Sequence, residues 1–368
     1  METLASPLNY ENASLKFGAQ VPSSSVTWQS PSNIALVKYW GKRDIQIPCN
    51  PSVSFTLKAS LTETTVEYAP GSGNTVSVEF YLDKVRNEKF EAKIGAFLES
   101  IRPVFPFVAQ LHFRIFSHNT FPHSAGIASS ASGMSALALC LCSIEKEHFG
   151  NLPDDSEFYR KASYIARLGS GSACRSVYGG LVSWGKIEGR PDTSDEFGTQ
   201  LDPSSVHPDF QDYRDSILIV DSAQKKVSSR VGHGLMNTNP FSEERFRQAN
   251  RNIVKLIEAI RTGDQETFIK ITESEALTLH AMMMTSDPYF LLMRPNTLNI
   301  IEKIFAYREQ TGHPVCFTLD AGPNIHLLYP QRIENEVKSF INAELVQFLH
   351  DFCMIDDQVG NGPNRINL

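Results

Sequence analysis

The sequence predicts an α+β protein of two lobes, and three features of it lead there. Short segments rich in β-branched and aromatic residues follow one another from about residue 25, broken by Pro, Gly and Asn, as in a mainly antiparallel sheet. Three long segments with apolar residues at three- and four-residue spacing fill 243–309, followed by two more strand-like runs around Asp320. Between these regions Arg190 to Asp212 is dense in Pro, Asp and Ser, a composition that suits a boundary. At 368 residues and 41% apolar content, the chain also exceeds the size that one core usually serves. The succession of strands and helices in both halves fits two α+β lobes better than a doubly wound parallel sheet.

Residues 1–24 are polar and irregular and read as a mobile extension, which leaves lobes at 25–195 and 213–368. In the first lobe, strands are expected at Val26–Trp28, Ile34–Tyr39, Val53–Leu57, Thr64–Tyr68 and Thr75–Tyr81. A helix over Phe90–Ile101, a strand over Leu111–Phe116 and a long apolar helix over Ile127–Phe149 come next. Phe158–Leu168 is amphipathic and helical, Gly169 to Ser176 breaks the pattern, and Gly180–Trp184 resumes as strand. The second lobe opens on a strand at Ser216–Val220. Helices follow over Glu243–Arg261, Gln265–Met284 and Tyr289–Glu309, then strands Val315–Leu319 and Ile325–Tyr329 and a last helix near Arg332–Phe348.

A net charge of −7 argues against general nucleic-acid or polyanion binding, so an anionic ligand must be caught by a local pocket. The six cysteines are scattered, with neither a zinc spacing nor a disulfide framework. No stretch reaches the roughly 18 apolar residues of a membrane span, and the N-terminus lacks a signal-peptide layout. A soluble cytoplasmic protein is the expectation.

Five stretches could carry chemistry. Residues 120–133, Thr-Phe-Pro-His-Ser-Ala-Gly-Ile-Ala-Ser-Ser-Ala-Ser-Gly, lead small and hydroxyl side chains into the apolar helix. Backbone N–H groups at such a junction can approach an anion, although a Ser/Ala-rich capped helix would read the same way; it is neither a Walker A loop nor a dinucleotide fingerprint. Residues 33–44 pack Lys38, Lys42 and Arg43 with Tyr39 and Trp40 at a strand end. On a strand Lys38, Trp40 and Lys42 would share a face, suited either to an acidic substrate or to a solvated edge. Gly169 to Arg175 offers backbone donors, Ser170, Ser172 and a guanidinium, and Gln224 to Arg230 repeats hydroxyls beside cations. Each could equally be a polar loop. Asp320 stands at a tight turn with Gly322, Pro323 and Asn324, where Asp is common for local reasons.

Taken jointly, the blocks Asn33-Ile-Ala-x-x-Lys-Tyr-Trp-Gly-Lys-Arg-Asp44, Phe121 to Gly133, Gly169 to Ser176, Val227 to Ser229 and Asp320-Ala-Gly-Pro-Asn324 resemble the diphosphomevalonate decarboxylase family, in the family's order. The resemblance runs from about residue 25 to Val359–Pro363. It implies the two-lobe GHMP kinase fold, with a ribosomal protein S5 domain 2-like N-terminal lobe and an α/β-sandwich C-terminal lobe. It also implies a homodimer and ATP-dependent decarboxylation of mevalonate 5-diphosphate to isopentenyl diphosphate through phosphorylation of the 3-hydroxyl. Decarboxylation of mevalonate 5-phosphate and a mevalonate 3-kinase are the neighbouring activities.

By position, Asp320, Arg175 and Lys38 match the family's catalytic aspartate, carboxylate-holding arginine and reacting-centre lysine. Tyr39, Lys42, Ser170, Ser172, Ser229 and Arg230 match substrate-binding positions. Pro122, Ser124, Gly126, Ala128, Ser129 and Ser130 fall in the ATP phosphate loop, with Mg2+ carried mainly by the nucleotide and touched by Ser129. His123 departs from the family, which more often has a small residue there. With cations beside it, Asp320 is expected to be ionised and weakly basic.

Overall fold

The computed structural model describes residues 8–72, 74–122, 127–222 and 229–367, with Ser229 and Arg230 as backbone alone. The N-terminal lobe contains β1 (Ser24–Val37), β2 (Lys42–Arg43), β3 (Ile47–Pro48), β4 (Ser52–Pro70), β5 (Ser77–Leu82), β6 (Val85–Arg86), α1 (Glu88–Ser100), β7 (Leu111–Asn119), α2 (Ser129–Phe149), α3 (Asp155–Gly169), β8 (Leu181–Trp184) and β9 (Gly198–Gln200). The C-terminal lobe follows with α4 (Pro208–Gln211), β10 (Arg214–Leu218), α5 (Ser229–Leu235), α6 (Ser242–Thr262), α7 (Gln265–Met284), α8 (Pro295–Thr311), β11 (Cys316–Leu319), β12 (Ile325–Tyr329), α9 (Glu334–Phe340), β13 (Met354–Gln358) and β14 (Asn364–Ile366).

The larger sheet runs β14-β1-β4-β7-β5-β6, with β8 on the free end of β4 and β9 beside β8; its pairings are antiparallel except β5 with β7. One face carries a core of Trp28, Val66, Phe113 and Ile115 against Leu98, Leu141 and Ile165 from α1, α2 and α3. The smaller sheet, β11-β12-β10-β13, is antiparallel. Because side chains alternate along a strand, Leu218, Phe317 and Leu327 point to α8 and α9. Ile217, Cys316 and Leu328 point the other way, into a cluster with Ile253 of α6, Phe268 of α7 and Ile34, Val37 and Phe55 of the first lobe. The lobes therefore share a core.

The strands of the first lobe are longer than expected. The two runs over 26–39 form one strand that stops at Val37, and the two over 53–68 form one strand from Ser52 to Pro70. The middle of each reads as a break because it is polar: Pro31, which has no N–H, sits at a shift of the β1–β4 register from Leu61 to Thr56. At that shift the amides of Lys58, Ala59 and Ser60 leave the ladder and donate to the Asp357 carboxylate at 2.8 Å each. The interruption of the strand is thus where the second lobe attaches.

Other expectations also change. The residues at 8–23 are laid on the lobe rather than standing off it as a mobile extension: Leu15 is buried, Phe17 packs on Phe149, and the Phe17 amide donates to Gln110 at 2.8 Å. The segment 190–212 is not a plain linker, since β9 lies within it. The tail returns to the first lobe, where β14 pairs with β1, so 213–368 is not one continuous lobe. The helix expected from Tyr289 begins at Pro295, the last expected helix breaks into short α, 3-10 and π pieces after Phe340, and the strand β13 was not foreseen. Among the described residues, no helix is long and apolar enough to cross a membrane.

Candidate active site

The site lies where the end of β1 meets the β11–β12 turn and the 3-10 helix Gly171–Val177. Beyond Val37 the chain leaves the sheet and turns at Gly41, whose φ of 98° favours glycine. Lys38 and Trp40 consequently do not share a strand face with Lys42. Both are buried, while Lys42 lies on the short β2 and donates to Gln46 at 3.2 Å. Lys38 is not a solvated edge lysine. It is 2% exposed, and its Nζ lies 3.2 Å from Oδ1 of Asp320. Burial pushes the Lys38 ammonium below its usual range, and Asp320 followed by Glu275 hold it up, against Arg175.

Asp320 is set by its turn. Gly322 donates to its carbonyl at 2.7 Å, and His280 of α7 contacts the same oxygen through Nε2 at 3.1 Å, as the donor. Asn324 accepts from the amides of Val220 and Asp221, and Thr297 of α8 donates to Pro323 at 2.8 Å. The carboxylate is about a quarter exposed, at 28%, so it faces a space a substrate can enter.

Arg175 sits in the 3-10 helix rather than in an open loop and is 3% exposed. Its Nε donates to Ser54 at 2.9 Å and to Asn33 at 3.3 Å, Nη1 to Ser52 at 2.6 Å and Nη2 to Asn33 at 3.2 Å. Ser52 and Ser54 are two apart on β4 and so present their hydroxyls to one side. These acceptors are all neutral, and they leave one N–H on each terminal nitrogen without an acceptor among the described residues. That is the fork with which a guanidinium takes a carboxylate. Burial pushes its pKa down, with Cys174, Asp320 and Tyr39 opposing. Tyr39 packs on Trp184 at 4.6 Å, Arg175 lies over the same indole, and the buried Tyr39 hydroxyl has no partner among the described residues. Burial raises that phenol's pKa, so it stays a neutral donor.

The nucleotide-loop candidate begins α2 at Ser129. Its N-cap, Ala128, has φ 23° and ψ 43°, no side chain caps the first turn, and no acid lies within it. Among the described residues, then, no side chain answers its first-turn amides or the helix dipole. Ser130 is exposed and its Oγ lies 3.4 Å from that of Ser170, which joins this helix start to the Arg175 segment. Ser172 joins the same frame through its carbonyl, which accepts from Asn33 at 3.3 Å. Pro122 is exposed, Ala128 and Ser129 are half-buried, and His123, Ser124 and Gly126 lie outside the described residues, as do the side chains of Ser229 and Arg230.

The structure thus gathers Lys38, Arg175 and Asp320, from both lobes, beside Tyr39, Ser170 and Ser172. It also reveals partners that sequence reasoning missed: Ser52 and Ser54 behind Arg175, and Glu275, Arg245 and His233 behind the Lys38–Lys42 turn. His233 accepts from the Gly41 amide at 3.0 Å between the rings of Tyr39 and Trp40, and burial pushes its pKa down to about 3. A signal existed for two of them. Glu275 interrupts the apolar stripe Ile271–Leu279, and Arg245 begins the stripe of Ala249 and Ile253, where a charge needs a buried partner.

Residues 30–195 match the family model for the diphosphomevalonate decarboxylase-like N-terminal domain, and residues 216–361 match that for the mevalonate 5-diphosphate decarboxylase C-terminal domain. The diphosphomevalonate decarboxylase of Saccharomyces cerevisiae is 33% identical over 340 residues, 87% of this chain and 81% of the yeast protein. The mevalonate diphosphate decarboxylase of Staphylococcus aureus superposes with a TM-score of 0.80 at 29% identity, covering 94% of this chain and 99% of that one. A structure of MDDEF in complex with MVAPP, AMPPCP and magnesium superposes with a TM-score of 0.79 at 28% identity, covering 94% and 100%.

Proposed function

The chain belongs to the diphosphomevalonate decarboxylase family, and from that membership we propose that it converts mevalonate 5-diphosphate and ATP to isopentenyl diphosphate, ADP, phosphate and CO2. The observation that carries the reading is the Arg175 guanidinium, buried on neutral partners with a fork of N–H groups left over, beside the Lys38–Asp320 pair. A buried cation without a carboxylate partner of its own suits a substrate that brings one.

The residues divide the work. Asp320 orients the tertiary 3-hydroxyl and accepts its proton late, as the oxygen takes up the phosphoryl group and the alcohol becomes acidic. Lys38 pairs with Asp320 and stands by the oxygen where charge builds. Arg175 orients the substrate carboxylate; a tighter clamp would stabilise the ground state more than the departing CO2. As the 3-phosphate leaves and positive charge grows at C3, that alignment lets the C–COO⁻ electrons flow towards it. The uncapped start of α2 suits the nucleotide phosphates, with Ser129 and Ser130 at its mouth. Mg2+ would be borne mainly on the nucleotide phosphates, with Ser129 adding a hydroxyl. When bound, Mg2+ neutralises charge on the phosphate oxygens.

Release of CO2 coupled to ATP consumption tests the reading, with mevalonate 5-diphosphate and mevalonate 5-phosphate run in parallel. CO2 from the diphosphate is expected. CO2 only from the monophosphate, ATP use without CO2, or neither, would each overturn it. We place the enzyme in the cytoplasm, in keeping with its six unpaired cysteines, and as a homodimer, in keeping with exposed Tyr289 and Leu291; light scattering in solution reads the latter.

A further inference from the structure

Beyond Val37 the backbone of Lys38 has left the β1–β4 ladder, so its N–H and C=O need other partners. They find them in the C-terminal lobe. The Lys38 amide donates to Oε2 of Glu275 at 2.9 Å, and its carbonyl accepts from Nη2 of Arg245 at 3.2 Å and from Asn50 at 2.9 Å. Arg245 of α6 and Glu275 of α7 are themselves a bidentate ion pair, at 2.5 and 2.9 Å, with both side chains fully buried. Asn252 donates to Oε1 of Glu275 at 2.7 Å, the oxygen that also accepts from Arg245 Nη1, while the Arg245 Nε has no partner among the described residues.

Burying such a pair is not explained by stability, because desolvation of two ions offsets much of their attraction and an apolar pair of similar volume often serves as well. What an apolar pair could not do is hold both backbone polar groups of one residue. From this geometry we propose that Arg245 and Glu275 are positioning residues, a clasp from the second lobe that fixes the backbone of Lys38 so that its ammonium meets Asp320. Lys38 belongs to the first lobe and Asp320 to the second, so the clasp also sets the register between the two halves of the centre. Its kinetic consequences rest on the decarboxylase reading; the clasp itself does not.

The test uses the full-length chain with two changes. The double variant Arg245→Met/Glu275→Leu removes both backbone contacts and replaces the ion pair with apolar volume, the exchange that buried pairs tolerate best. With its melting temperature near that of the unmodified protein, kcat for CO2 release should fall on the order of 100-fold, as expected when a reacting group is displaced by about an ångström. KM for either substrate should change little. Glu275→Gln is milder and keeps an acceptor. The groups facing the Lys38 ammonium are Asp320 from the β11–β12 turn, Glu275 from α7 and Arg175 from the 3-10 helix, with Arg245 of α6 behind Glu275 and Asp215 of β10, paired with His326 of β12, acting on the ammonium through charge. Losing the Glu275 charge therefore moves the alkaline limb of kcat to lower pH, which a merely structural role would not do.

Hydrogen exchange at the Lys38 amide gives an independent reading: strong protection in the unmodified protein, lost in the double variant. A folded double variant with unchanged kcat, or with the Lys38 amide still protected, would overturn the proposal. Absence of CO2 release from the unmodified protein would instead bring down the decarboxylase reading, and amide exchange would still decide the clasp.

Discussion

Asp320 and Lys38 illustrate how a single contact defines two roles at once. A carboxylate 3.2 Å from a buried ammonium is a weak base, and it becomes useful only as the hydroxyl it orients turns acidic. Asp320→Asn keeps a side chain of the same shape that can orient but cannot take the proton. We expect kcat to drop on the order of 10²–10⁴-fold with KM for mevalonate 5-diphosphate nearly unchanged, read from steady-state kinetics. A variant with near-normal kcat would remove Asp320 from the mechanism. His233 gives a prediction of a different kind. Its folded pKa is pushed down to about 3 by burial, below the ordinary value of 6.5, so the unfolded chain takes the proton first. Its contribution to stability is therefore complete above pH 6.5 and is lost as pH falls through the window down to about 3, at roughly 1.4 kcal/mol per pH unit. His233→Gln retains an acceptor for Gly41 and does not titrate. Urea unfolding between pH 6.5 and 4 should show a slope shallower by about one proton than in the unmodified protein. Parallel slopes would mean that His233 is not the titrating group.

Among the elements, α2 is the one whose end matters most. Its length and apolar character were legible, because Met134 to Ile144 is an apolar run, interrupted only by Ser135 and Ser143, that packs into the first core. Whether its start was capped was not legible, since Ser129, Ser130 and Ser132 could each have served. None does: the cap position falls on Ala128, and among the described residues no side chain caps the first turn. This produces opposite signs for one substitution. Ser130→Asp should stabilise the helix by about 0.3–1 kcal/mol through the dipole while raising the KM for ATP through repulsion of its phosphates. Thermal unfolding and ATP titration measured on the same preparation check it, and an unchanged KM for ATP would detach α2 from the nucleotide. β1 and β4 fall on the other side of legibility. The middle of β1 is Ser30-Pro31-Ser32-Asn33, buried by neighbouring elements rather than by its own hydrophobicity, and the middle of β4 carries the exposed Lys58 and Ala59, so each reads as two short strands.

For the molecule as a whole, the two lobes behave as one body at the places that matter. Ile34, Val37 and Phe55 share a cluster with α6 and α7, Asp357 closes the interruption of β4, and the tail crosses back to pair with β1. The crossing is tight at Gly179. A Cβ there would lie 2.3 Å from the carbonyl oxygen of Asn361, a backbone atom with no freedom to swing aside. Gly179→Ala should therefore lower the unfolding free energy by about 1–3 kcal/mol, measured by denaturant titration. A variant as stable as the unmodified protein would show that the tail can lift without cost.

The sequence by itself determined the class of fold, the two-lobe division and the residues that meet at the site, because apolar periodicity and short motifs are local properties. Lys38, Arg175 and Asp320 could be named from their blocks and the family resemblance those carry. Only the tertiary structure decided their states. Lys38 became a buried cation in contact with Asp320 instead of a solvated edge lysine, and Arg175 became a guanidinium with two N–H groups to spare. Both outcomes depend on partners far along the chain, Glu275 lying 237 residues from Lys38 and Ser52 lying 123 from Arg175. Desolvation and hydrogen-bond satisfaction are properties of the surroundings in space, and no local pattern encodes surroundings assembled from two lobes.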